Sequence, residues 1–138
     1  MASLPANLCF GLAWVAFALA VAVHVADEAA HDFLSVYNPT VRAIRARLPF
    51  LLVPTFSFPV WIGGLIAGIF LLLLLSPLAF QGDDRLRLIA WPLAITIGIG
   101  NSSLHVAGSA YFHRWMPGVY SAPILMFAAV CLLTATYR

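Results

Sequence analysis

From Leu8 to Val23 the chain carries no charged or histidine side chain, and the stretch that follows, His24-Val25-Ala26-Asp27-Glu28-Ala29-Ala30-His31, holds two histidines and two carboxylates. The apolar run predicts a helix in hydrocarbon surroundings. Ionisable groups there cost several kcal/mol unless they pair, line a wet cavity or bind a metal. At about 100° per residue, His24, Glu28 and His31 (i, i+4, i+7) share one stripe about 60° wide, with Asp27 at its edge. These side chains are therefore expected to converge on one point.

Composition agrees with that setting. The 138 residues are 63% hydrophobic and only 9% charged, against about 45–50% apolar and 25% charged in soluble domains. At about 20 residues per span, the length allows four membrane helices and leaves no room for a soluble domain. The seven basic residues are all arginine and the net charge is +2, too small an excess to suggest nucleic acid. Arginine without lysine, with abundant Ala, Leu and Val, points to a GC-rich bacterial source and hence a bacterial inner membrane. Cys9 and Cys131 read as small apolar fillers inside spans. The first apolar stretch lacks a basic n-region and is read as a retained span, not a signal peptide.

The expected fold is all-α, a single transmembrane four-helix bundle over residues 1–138. Its spans are expected at about 7–33, 58–80, 86–113 and 119–137. Asn38-Pro39 should end the first helix, because the residue before proline is pushed out of the α region. Val41 to Leu48, with Arg42, Arg45 and Arg47 beside Ile44 and Leu48, suits a short interfacial helix. Gly63-Gly64 and Gly68 in the second span allow close helix approach. Asp83 and Asp84 are expected to cap the third span, which tolerates Pro92 as a kink. Pro117-Gly118 should turn the chain into the fourth span, and no internal repeat is visible.

Spans alternate in direction, so the ends of the first and third lie at one face of the membrane. Asn101, His105 and His113 then reach the depth of His24 to His31. Side chains on facing helices of a bundle are a recurrent way to build a metal site, and imidazole with carboxylate suits zinc or iron. His24, Glu28, His31, His105 and His113 are the candidate ligands. Glu28, Asp27 and Asn101 are the candidate catalytic groups, with Asn101 orienting a ligand or substrate.

The sequence resembles the HXXEE-domain family of small multi-span membrane proteins. The name-giving motif corresponds to His24-Val25-Ala26-Asp27-Glu28, and a second pattern is matched by Asn101, His105, Trp115, Pro117 and Gly118. The first acidic position is Asp27 in place of glutamate, an arm about 1.5 Å shorter, which leaves Glu28 the safer metal ligand. Trp115 stands where tyrosine is more usual and supplies no phenolic proton. The resemblance implies a membrane enzyme without specifying its reaction.

The function expected from these residues is a metal-dependent hydrolase acting on an apolar or amphiphilic small molecule, with a divalent transition metal, zinc or iron, lowering the pKa of a bound water to about 7. The alternatives are a non-haem iron or di-iron oxidoreductase, a metal-free cyclase or isomerase using Asp27 or Glu28, and a bis-histidine haem protein. Transport fits less well, since the polar residues crowd one leaflet. Expected partners are the bilayer and a lipophilic substrate, with self-association open and nucleic acid excluded. Arg42, Arg45, Arg47 and Arg114 outweigh Arg85, Arg87 and Arg138 by one, which places the site on the cytoplasmic side.

Overall fold

A computed structural model describes residues 4–137, and among these the regular structure is helical throughout, with no strand. The order is α1 (Ala6–Ala30), α2 (Phe33–Arg47), α3 (Phe58–Leu74), α4 (Ser76–Gln81), α5 (Asp84–Leu93), a π-helical segment (Ala94–Gly100), α6 (Asn101–Phe112) and α7 (Ala122–Thr136). Arg138 lies outside the described residues.

Helix α1 is the axis of the assembly. Its buried face, Phe10, Trp14, Phe17, Val21, His24, Val25 and Glu28, continues the i, i+3, i+4 pattern from an aromatic end to the ionisable end. It packs against α7, α4 and α3, while α7 also packs on α5, the π segment and α6. Gly98 is required where the π segment crosses α7: a Cβ there would collide with the Ala129 methyl. At the end remote from the ionisable cluster, Arg87 donates to the Ala135 and Thr136 carbonyls at 3.1 and 3.3 Å. A cation thereby meets the carbonyl end of α7.

Two helical runs are long and apolar enough to cross a membrane, Ala6–Ala30 and Phe58–Gln81. The second is bent at Leu75, where Pro77 cannot donate to the carbonyl four residues back. The Trp14 indole donates to the Leu72 carbonyl at 2.7 Å beside this break. Asp83 accepts from the Leu86 N–H at 2.9 Å and caps α5, as its position predicts.

The first helix does not run to Asn38-Pro39. It stops at Ala30, and Asp32 takes a left-handed conformation, φ 52°, before α2 begins at Phe33. Pro39 lies inside α2, although an interior proline costs about 3 kcal/mol. Neighbouring bonds offset that cost: Asn38 donates to the Phe56 carbonyl at 2.9 Å and accepts from the Phe56 N–H at 3.0 Å, and the Tyr37 hydroxyl donates to the Pro54 carbonyl at 3.1 Å. The amphipathic helix expected at Val41–Leu48 is therefore longer and starts earlier. The third expected span is one helical run from Asp84 to Phe112, and downstream of Pro92 it winds as a π helix, with the Thr96 hydroxyl donating to the Pro92 carbonyl at 2.7 Å.

Candidate metal centre

Three elements build the cluster. Helix α1 presents His24 and Glu28 on the same side, one turn apart. Helix α6 brings His105, and the turn before α7 brings Gly118 and Ser121. His24, Glu28 and His105 are all buried, and one ligand atom from each lies within 4.8 Å of the others. Glu28 Oε1 stands 3.0 Å from His105 Nε2 and 3.6 Å from His24 Nε2. Donors bound to zinc at 2.0–2.1 Å in tetrahedral array are about 3.3 Å apart; the two carboxylate–imidazole separations bracket that value, and the three atoms, spread within 4.8 Å, would draw together on one ion. A buried His24, Glu28, His105 cluster of this kind can hold a metal ion.

Around this triad the hydrogen bonds are specific. Asn101 Nδ2 lies 2.8 Å from His24 Nε2, and Ser121 Oγ lies 2.9 Å from His24 Nδ1. Asp27 Oδ2 accepts from both the backbone N–H and the hydroxyl of Ser121, at 2.9 and 2.7 Å. Asp27 is thus turned toward α7, away from the three donors. Gly118, at φ +85°, lies flat against both imidazoles; a Cβ there would sit 2.8 Å from His105 Cε1 and 3.0 Å from His24 Cε1.

The structure brings together His24, Glu28 and His105, with Asn101 and Asp27 beside them, and leaves His31 and His113 apart. His31 caps the C-terminus of α1 instead of continuing its stripe, so its ring swings outward. It is half exposed, lies 2.8 Å from both the carbonyl and the Oδ1 of Asp27, and packs on Tyr120. His113 ends α6 in a left-handed conformation, φ 50°, and is exposed. It lines an open groove of about 470 Å³ with Ser109, Arg114 and Trp115.

Two contributors are not singled out by sequence reasoning. Ser121 is one; its signal is a serine two residues before Pro123 at the start of an apolar span. Phe33 is the other, its ring centroid 5.8 Å from that of His105 and 5.7 Å from that of Trp61. Phe33 and Trp61 also line an apolar groove of about 340 Å³, with Tyr37, Phe56, Val60 and Gly64. The triad is therefore walled on one side by an aromatic ring that borders an open apolar groove.

Neither family models, nor curated proteins, nor solved structures give a match to this chain.

Proposed function

We propose that the protein is an integral membrane enzyme that holds one divalent transition metal on His24, Glu28 and His105 and hydrolyses an apolar or amphiphilic small molecule. The observation that carries this reading is the buried triad itself. Two imidazoles and a carboxylate converge where the surrounding helix is apolar, and such groups are expensive unless a ligand or ion uses them. Two histidines and a glutamate form a donor set of catalytic zinc sites, in which a further position stays open. A metal bound there would act as a Lewis acid and deliver a nucleophilic water at neutral pH.

The chain's own residues have separable parts. His24 and His105 direct Nε2 inward, and Glu28 faces both rings through Oε1, so its second oxygen is available to take a proton from water. Asn101 supplies an amide for the substrate's polar end. The groove bordered by Phe33 and Trp61 suits an apolar tail reaching the triad from the side. Membrane embedding is part of the same proposal: the α3 surface keeps Phe70, Leu71 and Leu74 exposed, an apolar face larger than water-facing helices carry. The exposed arginines of α2, together with Arg114, favour a cytoplasmic site in a bacterial inner membrane. Membership of the HXXEE-domain family fits the triad, since His24 and Glu28 are its motif positions.

The same donor set is also that of non-haem iron oxygenases, which makes an iron oxidoreductase the second reading. Elemental analysis of the purified protein, beside His24→Ala, separates them. Zinc at one per chain, lost in the variant, supports hydrolysis. Iron at that stoichiometry with visible absorption redirects the assignment to oxidation. Wild-type protein that binds neither ion when each is supplied overturns the metal reading.

A further inference from the structure

The Ser121 hydroxyl does not serve the helix it precedes. Ser121 occupies the N-cap position of α7, yet its side chain accepts no hydrogen bond from the first turn. It is instead buried between two residues of α1, with Oγ 2.7 Å from Asp27 Oδ2 and 2.9 Å from His24 Nδ1. A hydroxyl has one proton to give, and an ionised carboxylate can only accept. The shorter, charge-assisted bond takes that proton, since the other acceptor in reach, the Gly118 carbonyl, is 3.2 Å away. Toward His24, Ser121 can therefore only accept, and Nδ1 must carry the imidazole proton. The opposite side of the ring agrees: Asn101 Nδ2, a donor, lies 2.8 Å from Nε2.

We infer that Ser121 is a positioning residue that relays Asp27 to His24, holding the imidazole as its Nδ1–H tautomer and leaving Nε2 the bare nitrogen, which accepts from Asn101 on the side of the ring where Glu28 stands. Ligating histidines are commonly oriented by a hydrogen bond from the other ring nitrogen to a carboxylate or carbonyl. Here the carboxylate acts through a hydroxyl. Asp27 sits one residue before Glu28 on α1, and its hydrogen-bonded connection to the His24 ring runs through Ser121, from another element. The relay also ties α7 to α1 through the Ser121 backbone N–H, so the tautomer and the docking of α7 are set by the same carboxylate oxygen.

This inference deepens the metal reading, and its principal test needs no metal. The full chain, labelled with ¹⁵N-histidine and reconstituted metal-free in lipid bilayers, reports each ring nitrogen's protonation by its chemical shift. His24 is expected with Nδ1 protonated and Nε2 bare. Ser121→Ala should mix or invert the two tautomers, and Ser121→Thr, which restores a hydroxyl, should return the wild-type pattern. Titration with Zn²⁺ gives a second readout: affinity should fall about 10- to 100-fold in Ser121→Ala and recover in Ser121→Thr. Wild-type His24 protonated at Nε2, or a tautomer unmoved in Ser121→Ala, overturns the relay. A wild-type chain that shows the tautomer and its loss in Ser121→Ala but binds no Zn²⁺ upholds the relay and overturns the metal reading alone.

Discussion

His24 and His105 meet edge to face across the α1–α6 contact, their ring centroids 4.8 Å apart and their planes inclined at 75°. That geometry lets both Nε2 atoms look toward Glu28 without the rings stacking, which would turn their lone pairs outward. The contact also joins residues 81 positions apart by direct side-chain approach, so the site and the helix packing stand or fall together.

Removing His105 and removing His31 should have opposite outcomes. His105→Ala takes away one of three inward donors and should abolish stoichiometric metal binding. His31→Ala removes an exposed ring paired with Asp27 and should leave stoichiometry intact and affinity within a few-fold. Calorimetric titration of the two variants side by side checks this, and a His31→Ala chain that no longer binds metal would return that residue to the ligand set.

Glu28→Gln should separate stability from binding. The substitution keeps the side chain's volume and leaves an amide that can still hydrogen-bond the His105 ring 3.0 Å away. The metal-free variant is expected to melt close to the wild-type temperature. Added metal at 100 times its Kd should stabilise the wild type by about 2.7 kcal/mol and the variant by far less. A variant that melts well below wild type without metal would assign Glu28 a structural role.

Glycine substitutions offer an internal control. Gly118→Ala forces a Cβ against both imidazoles and places alanine at φ +85°, a conformation that costs on the order of 1–3 kcal/mol. It should lower thermal stability and weaken metal binding together. Gly64→Ala, inside α3, adds a Cβ that meets nothing within 4 Å; it should leave metal binding unchanged and raise stability by about 0.5–1 kcal/mol. Equal behaviour of the two variants in the same melting and titration series would contradict the packing described at Gly118.

Asn101 and a metal compete for one lone pair, since Asn101 Nδ2 lies 2.8 Å from His24 Nε2. Asn101→Ala should therefore bind Zn²⁺ at least as tightly as the wild type, while turnover falls once a substrate is found. A loss of Zn²⁺ affinity would instead mean that the amide helps hold the ion or its ligands.

The parts legible in the sequence were those set by local periodicity. His24 and Glu28 share a face because they are one turn apart, and reading the first and third helical runs as parallel was enough to bring His105 and Asn101 level with them. Asp83 announced its cap by spacing alone. What stayed hidden depends on tertiary choices. The stop at Ala30 uses Asp32 in a left-handed conformation, with neither glycine nor proline to mark it, and that early stop is what sends His31 outward. Pro39 reads as a terminator, but bonds from Tyr37 and Asn38 to the 54–56 segment keep α2 helical through it. Ser121 belongs to the site only because α7 folds back on α1, which no local pattern encodes.

The π-helical segment sits between the part of the third helical run that packs the core and the part that carries Asn101 and His105. Such a segment holds more residues per turn than an α helix, so it resets the angular phase of everything after it. Upstream, α5 aims Leu86 and Ala90 inward; downstream, Ser102 and His105 face inward, and the segment reconciles the two registers. Each residue gained or lost there turns the downstream face by about 100°, while both flanking helices keep their hydrogen bonds. The triad is in this sense indexed by length: the spacing between core and site is a dimension of the protein, as binding on the convergence of the three side chains as their identity.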